Sequence, residues 1–338
     1  GRGGNWMTWH GRLGYTVLSL LLFRIIMGLA EGPILPLSQS LMVEASSPQR
    51  RGLNMGLLQG SAAGLLGAVI GPPVLIALAE AYGWRHAFII SLVPGLLIAL
   101  LIWRYVHPDP PRSEPRTNAA PSNGGGHRLA LLKSRNIVLC TLISCVFLTW
   151  FIILISFTPT FLVKVRDYSP ASMGTVMSCL GGAWVLWGFG VPAISDRIGR
   201  RPTLVLFSLI AACCPMALLY ASSPWMLGVL MLLTYTGLGC FTLFMATIPA
   251  ETVPREVMAT ALGMIMGIGE LVGGFVAPTI AGFAADRFGL SIVMWMSCGG
   301  ALLAAVLALF LKETAPAVLA RQQRRHADAS SVLQGNQP

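Results

Sequence analysis

Long apolar stretches fill most of this chain and restrict its fold more than any other feature. About nine of them reach the ~20 residues that a helix needs to cross a lipid bilayer. We place them at 15–43, 53–79, 84–106, 136–163, 173–195, 203–222, 225–249, 257–284 and 291–312. Only 11% of the residues are charged, well below the share in a soluble domain. Strand-like alternation is absent, so the sequence predicts an all-α polytopic membrane protein rather than a membrane barrel.

Basic residues concentrate on one set of loops between these stretches. With the C-terminus placed in the cytoplasm, the loops near 50–51, 104–135 and 197–201 and the tail after 312 carry most of the 23 lysines and arginines on the inner side. This asymmetry accounts for the net charge of +10 without any nucleic-acid partner. We therefore predict a multi-pass protein of the inner (plasma) membrane, surrounded by lipid, whose C-terminus is cytoplasmic.

Groupings typical of catalysis or metal binding are missing from the sequence. All seven cysteines lie inside apolar runs, without a histidine at metal-ligand spacing. Neither G-x-S-x-G nor H-E-x-x-H occurs, and no histidine lies deep within a predicted span. We therefore predict that the protein is not an enzyme and has no catalytic residue, no metal ion and no cofactor.

An internal repeat relates the two parts of the chain. A shift of 206 residues places Pro48 on Pro254, Gly67 on Gly273, Pro72 on Pro278, Glu80 on Asp286 and Gly83 on Gly289. The three apolar stretches of the first part therefore repeat the last three of the six in the second. Three further helices are expected to precede Gly1 in a complete first half, so the chain is expected to be truncated at its N-terminus.

The repeat and the composition divide the chain into four regions. They are a truncated N-terminal half at 1–106, a linker at 107–135, a six-helix half at 136–314 and a tail at 315–338. The linker is rich in Pro, Gly and Ser, and the tail is mostly polar, so both are predicted to lack regular structure. Residues 1–12 are too polar to end a preceding membrane helix, and the sequence leaves open whether they are native.

The segment GVPAISDRIGRRP at 190–202 resembles a signature of the major facilitator superfamily, the loop G-x-x-x-D-R-x-G-R-R between its helices 8 and 9. Five residues match the charged part of that signature: Asp196, Arg197, Gly199, Arg200 and Arg201. Pro192 replaces the leading glycine. Residues 24–52 and 82–88 are similar to helix 4 with its loop and to the junction of helices 5 and 6. The resemblance covers about 15–314 and implies helices 4–12 of a twelve-helix transporter built from parallel repeats.

The resemblance implies a gating role for the charged loop. Asp196 is expected to accept backbone N–H donors at a helix N-terminus and to pair with a neighbouring arginine. Arg200 and Arg201 are expected to hold the cytoplasmic side closed. Anchoring by positive charge alone is the alternative interpretation of these arginines.

Two carboxylates, Glu31 and Glu270, are predicted to lie deep in the membrane. Each costs ~2.5–3.5 kcal/mol if it is charged at a helix centre, so such groups usually serve proton or substrate binding. Arg24 precedes Glu31 by about 10 Å along nearly the same helix face, which leaves room for an anion between them. Glu270 belongs to no motif, so a structural and a coupling role both stay open for it.

The pattern R-x-x-x-G-x-x-E-x-P around Glu31 adds a more specific resemblance. Arg24, Gly28, Glu31 and Pro33 form it, and it is similar to helix 4 of the organic anion:cation symporter branch of the superfamily. In that branch the glutamate couples transport to protons, which implies the same role for Glu31. A neutral, hydrogen-bonded glutamate is the alternative.

Polar and aromatic side chains within the spans are candidates for a cavity lining, in particular Gln59, Trp150 and Tyr235. A helix–helix contact is the alternative for each of them. Glycines at 56, 60 and 64 form a small-residue stripe that favours close helix packing. The run G-x-x-x-G-P at 67–72 resembles the antiporter motif of family helix 5 and is a weak indication of efflux.

Together these features predict a monomeric secondary transporter. Its proposed reaction is proton-coupled symport of a small organic anion, such as a sugar acid or an aromatic carboxylate, by alternating access. A drug or metabolite efflux antiporter and a truncated remnant without transport activity are the alternatives.

Overall fold

The computed structural model describes residues 5–61, 63–105 and 134–335. These residues are mostly helical and include no strand, because an apolar segment in lipid can satisfy its backbone hydrogen bonds only internally. Within these described ranges, eight stretches are long and apolar enough to cross a membrane: Val17–Ala45, Trp84–Tyr105, Arg135–Lys164, Ala171–Ile198, Arg200–Tyr220, Pro224–Thr252, Arg255–Phe288 and Ser291–Ala308. The predicted all-α polytopic class is confirmed.

The first part of the chain contains six α-helices and two π-helical segments among the described residues. They are α1 (Asn5–Glu31), α2 (Ile34–Ala45), α3 (Arg51–Gly56), π1 (Leu57–Ser61), π2 (Ala63–Ile70), α4 (Gly71–Tyr82), α5 (Trp84–Ile90) and α6 (Leu92–Tyr105). The predicted span at 53–79 is thus helical on both sides of residue 62, which lies outside the described residues. Residues 106–133, which hold nearly all of the predicted linker, also lie outside them.

The second part contributes ten α-helices and two π-helical segments to the described structure. They are α7 (Arg135–Lys164), α8 (Pro170–Ile198), α9 (Arg200–Tyr220), α10 (Pro224–Thr234), α11 (Gly237–Phe241), π3 (Thr242–Thr247), α12 (Ile248–Thr252), α13 (Arg255–Gly269), π4 (Glu270–Val276), α14 (Ala277–Phe288), α15 (Ser291–Ala308) and α16 (Pro316–Gly335). Its core lies among α7, α8, α9, α10 and α15, where Phe147, Trp150, Leu204 and Ala304 are buried. Close van der Waals packing holds such helices together in lipid.

The two copies of the internal repeat have matching backbones. Helix α4 and helix α14 have the same length, and their bounds differ by the 206 residues of the sequence shift. A π-helical segment precedes each of them, at Ala63–Ile70 and Glu270–Val276. Gly83 and Gly289 follow them with φ angles of 82° and 84°, which only glycine adopts readily.

The tail differs from the sequence prediction because α16 begins at Pro316 instead of irregular chain. The carboxylate of Glu313 accepts hydrogen bonds from the backbone N–H groups of Thr314 and Ala315, at 3.0 and 2.9 Å. Helix starts need such acceptors, and proline is favoured in the first turn. These local signals outweigh the polar composition on which the prediction was based.

Candidate functional site

A buried arginine is the centre of a charged cluster where α8 meets α9. Nη1 of Arg200 lies 2.6 Å from Oδ1 of Asp196, and Nη2 lies 2.8 Å from Oε1 of Glu251. Nε of Arg200 donates to the second Glu251 oxygen at 3.2 Å, so the arginine–glutamate pair is bidentate. Burying these charges is favourable only because each has several partners.

Asp196 also joins the two parts of the chain. Its oxygens accept hydrogen bonds from the backbone N–H of Gly52 at 3.1 Å and of Leu53 at 3.0 Å. Both donors lie in the first turn of α3, where the helix dipole favours a carboxylate. The cluster therefore connects the first and second parts at the end of the helices that the linker joins, which we term the linker side.

The segment after the last span is part of the same cluster. Glu313 accepts hydrogen bonds from the backbone N–H of Arg200 at 2.8 Å and of Arg201 at 3.2 Å, which caps α9. Thr314 donates its hydroxyl to Glu251. Sequence reasoning missed Glu313 and Thr314. The only local signal was a carboxylate three residues before Pro316, a spacing that suits a helix start.

The five residues of the charged signature have different surroundings. Asp196 and Arg200 pair, and Gly199 adopts φ 121°, where an added Cβ would lie 2.6 Å from Oε2 of Glu313. The side chains of Arg197 and Arg201 are exposed, and neither forms an ion pair with the residues that the structure describes. Within the described residues, Arg201 thus joins the linker-side contacts through its backbone N–H, whereas Arg200 also contributes its guanidinium.

Glycines bring α3, π1 and π2 against α8. A Cβ added at Gly56 would lie 2.5 Å from the carbonyl oxygen of Gly188, and one at Gly60 would lie 2.5 Å from its Cα. A Cβ at Gly64 would lie 3.1 Å from Cβ of Trp184, whereas one at Gly67 would have nothing within 4 Å. Close approach between the two parts therefore requires glycine at 56 and 60.

An apolar cluster completes the closure of the linker side. Val43 and Met55 from the first part are buried against Ala246, Met258 and Leu262 from the second part. Side chains of this kind exclude water between the two parts, on the same side as the Asp196 contacts. The described residues therefore close the linker side by charge, close backbone packing and apolar burial together.

Glu31, Arg24 and Glu270 lie in two different candidate spans. Glu31 is the last residue of α1, next to a break at residues 32–33, and Glu270 is the first residue of π4. All three side chains are exposed, and none forms an ion pair with another described residue. The break beside Glu31 lines a cleft of about 530 Å³ together with residues 259, 260 and 263 of α13.

Gln59, Trp150 and Tyr235 are all buried. Gln59 accepts a 3.0 Å hydrogen bond from Nε2 of Gln39, which joins π1 to α2. Nε1 of Trp150 donates to the carbonyl oxygen of Ala211 at 3.0 Å, and its ring lies 4.9 Å from that of Tyr235. Tyr235 follows the end of α10, where the helix is interrupted, and its hydroxyl has no partner among the described residues.

The intramembrane candidates share a structural setting. Glu31, Gln59, Tyr235 and Glu270 each lie at a helix end, a helix interruption or a π-helical segment. Irregular backbone at membrane depth is tolerated where it is buried in protein or lines a cavity, and π-helical turns often mark functional sites. Arg24 and Trp150 lie inside regular helices, α1 and α7. Among the described residues no cluster of three His, Cys, Asp or Glu could hold a metal ion.

Comparisons with known proteins agree on one fold. The sequence profile described as Major Facilitator Superfamily matches residues 4–278. The hexuronate transporter of Bacillus subtilis (strain 168) is 25% identical over 88% of this chain and 73% of its own length. The probable galactarate/D-glucarate transporter GudP of the same organism is 24% identical over 94% and 75%.

A solved structure has the same architecture. The major facilitator superfamily proton:xylose symporter XylE, bound to 6-bromo-6-deoxy-D-glucose, superposes with a TM-score of 0.64. The superposition covers 83% of this chain and 68% of the symporter, at 17% identity. At that identity the similarity concerns the fold.

Proposed function

Since the chain belongs to the Major Facilitator Superfamily, we propose that it carries a small organic anion across the membrane together with protons. The protein is a multi-pass membrane transporter and not an enzyme. The finer part of the proposal concerns coupling and substrate. The observation that carries it is the position of Glu31 at the break between α1 and α2, inside a candidate span.

Glu31 is proposed to bind the coupled proton. Its exposed carboxylate lies at a helix end within the span Val17–Ala45, and no described residue forms an ion pair with it. A carboxylate at such a depth is costly when charged and is therefore typical of proton binding. Glu270, at the start of π4, is proposed as a second titrating or substrate-contacting group.

The substrate is proposed to be a sugar acid or another small carboxylate. Arg24 supplies an exposed guanidinium about two helical turns from Glu31, and guanidinium groups bind carboxylates in a bidentate manner. The relatives named for hexuronate and for galactarate or D-glucarate transport support a sugar-acid substrate. Tyr235, Gln59 and Trp150 are proposed to lie along the cavity.

Alternating access is proposed to occur by rocking of residues 1–106 against 136–314, with 107–135 as the connecting linker and 315–338 as a tail. The Asp196 cluster opens and closes the linker side in this scheme. We place that side, and the C-terminus, in the cytoplasm of a plasma-membrane protein, because basic residues cluster there. The transporting unit is proposed to be a monomer.

Uptake of a sugar acid into proteoliposomes tests the proposal. The wild-type protein is expected to accumulate labelled glucuronate or galactarate when the outside is one pH unit more acidic. With one proton per substrate, that gradient supports about tenfold accumulation. Glu31→Gln is expected to abolish accumulation while exchange of internal for external substrate continues, because exchange needs no net proton movement.

Glu44→Gln is the matched control, because Glu44 is an exposed glutamate on α2 at the end of the same span, whereas Glu31 lies at its middle. It is expected to accumulate substrate like the wild-type protein. Full proton-driven accumulation by Glu31→Gln would contradict the assignment of Glu31. If the wild-type protein instead used the same pH gradient to expel labelled substrate from loaded proteoliposomes, an efflux antiporter would be favoured.

A further inference from the structure

A second groove lies on the linker side, apart from the intramembrane candidates. It has a volume of about 810 Å³ and runs between the loop before α3, the end of α8 and the start of α16. Three separate elements of the chain form its walls. The residues that line it are Gln49, Arg50, Leu53, Gly190, Ala193, Ile194, Asp196, Arg197, Ala317 and Arg321.

Three arginines face this groove from three elements. Arg50 comes from the first part of the chain, Arg197 from the end of α8 and Arg321 from α16. All three are exposed, and within the described residues every ion pair belongs to Arg200 instead. Like charges gathered around one groove repel each other unless an anion lies between them.

Asp196 is the single carboxylate among the lining residues, and its oxygens are already engaged. They accept from the backbone N–H groups of Gly52 and Leu53 and from the guanidinium of Arg200. It therefore has little capacity left to balance the three arginines. Among the residues that line the groove, three arginines therefore stand against one carboxylate that is already paired with Arg200.

The floor of the groove is apolar. Gly190, Ala193 and Ile194 belong to the last turns of α8, inside the candidate span Ala171–Ile198. Arg197 lies at the end of the same span, the level at which lipid headgroups are expected. A groove that is apolar toward the membrane and basic at its surface fits an anion with an apolar part better than a small inorganic anion.

We propose that this groove binds a phosphate-bearing anion, held by Arg50, Arg197 and Arg321. Guanidinium groups bind phosphate oxygens in a bidentate manner, and three of them can surround one phosphate group. The phosphate of an anionic phospholipid, with its acyl chain along the floor, fits both parts of the groove. Such a ligand bridges the first part, the second part and the tail, and thereby stabilises the closed linker side. The binding site is independent of the transported substrate and of proton coupling.

Native mass spectrometry of the purified protein in detergent measures this binding directly. Phosphatidylglycerol is expected to bind more tightly than phosphatidylcholine, which carries the same phosphate but no net charge. The double variant Arg50→Gln/Arg321→Gln is expected to bind phosphatidylglycerol about tenfold more weakly or worse, since each arginine near a lipid surface contributes measurably. Both residues are exposed and lie outside the Arg200 cluster, so the fold is retained.

Arg135→Gln/Arg255→Gln is the matched control. Both residues are exposed, begin helices on the linker side and do not line the groove. This variant loses the same net charge and is expected to bind phosphatidylglycerol within about twofold of the wild-type protein. Equal loss in both double variants would indicate general charge attraction and would overturn the site.

Soluble phosphates separate the two possible sources of the ligand. If inorganic phosphate or glycerol 1-phosphate displaces phosphatidylglycerol and raises the Tm of the wild-type protein but not of Arg50→Gln/Arg321→Gln, a soluble phosphate compound is the ligand. If neither competes while the lipid binds selectively, the ligand is a lipid. Equal retention of phosphatidylglycerol by the wild-type protein and Arg50→Gln/Arg321→Gln would refute the proposal.

Discussion

The hydroxyl of Thr314 donates a 2.7 Å hydrogen bond to Oε2 of Glu251, the oxygen that also accepts from Nε of Arg200. A residue beyond the last span thus contacts the cluster that joins the two parts of the chain. Glu313, its neighbour, caps α9 at Arg200. Movement of the charged cluster on opening must therefore move or release the segment that leads into α16.

Removing the Thr314 hydroxyl is expected to destabilise the closed linker side. Thr314→Val has nearly the same shape but leaves one oxygen of a buried carboxylate with fewer donors, which costs about 1–3 kcal/mol. Thermal unfolding in detergent should show a Tm several degrees lower than that of the wild-type protein. Thr314→Ser keeps the hydroxyl and should retain most of the stability. An unchanged Tm for Thr314→Val would mean that this hydrogen bond contributes little.

Adding a methyl group at Gly60 is expected to separate the two parts. The new Cβ would lie 2.5 Å from Cα of Gly188, and backbone cannot move aside as a flexible side chain can. A cysteine at Val43, buried in the apolar cluster, reports the change in a background without the seven native cysteines. Its labelling by a water-soluble maleimide should be several-fold faster with Gly60→Ala.

Gly67→Ala is the control for this effect, because a Cβ there has nothing within 4 Å. It should label like the parent protein and should be slightly more stable, since alanine favours helix over glycine. Fast labelling of the cysteine at position 43 in both variants would mean that the loss of a flexible glycine opens the linker side, and that the contact with α8 is not the cause.

Much of the fold follows from local patterns in the sequence. Apolar length predicts the spans because a bilayer has a fixed thickness, and the spacing of Gly83 and Gly289 within the repeat predicts two matching helix ends. The contact of Glu313 with Arg200 joins residues 113 positions apart, and no local pattern specifies it. The stripe of glycines at 56, 60 and 64 was visible and does contact α8, whereas Gly67, three residues after Gly64 instead of four, has nothing within 4 Å of an added Cβ.

The intramembrane candidates also have structural settings that local sequence patterns do not specify. Sequence reasoning identified Glu31 and Glu270 by their charge, since charge within an apolar run is conspicuous. It could not predict that each lies at a helix end or at the start of a π-helical segment, because π turns have no simple sequence signature. Gln59 stays a prediction as a cavity residue, and its hydrogen bond to Gln39, 20 positions away, is a contact that its polarity alone did not specify.

Tyr235→Phe separates a structural role of Tyr235 from a role in substrate binding. The hydroxyl is buried without a partner among the described residues, so its removal should leave the Tm unchanged or raise it. If the hydroxyl contacts substrate, the KM for uptake should rise several-fold while the Tm does not fall. A lower Tm with an unchanged KM would assign Tyr235 to the core that it shares with Trp150.

Asp196 and Gly52 are expected to act as one unit, and a double-mutant cycle can detect it. Asp196→Asn weakens the pair with Arg200 and leaves one acceptor oxygen for the two N–H groups of α3. Gly52→Ala places a Cβ 2.6 Å from Nη1 of Arg200 and 2.7 Å from Oδ1 of Asp196, so it disrupts the same contact.

Each single variant should lower the uptake rate and the Tm. The double variant should be little worse than either, with a coupling energy of about 0.5–3 kcal/mol, because residues in contact are not additive. Additive losses in Tm would mean that the two residues act independently, and the contact between Asp196 and α3 would then not hold the linker side closed.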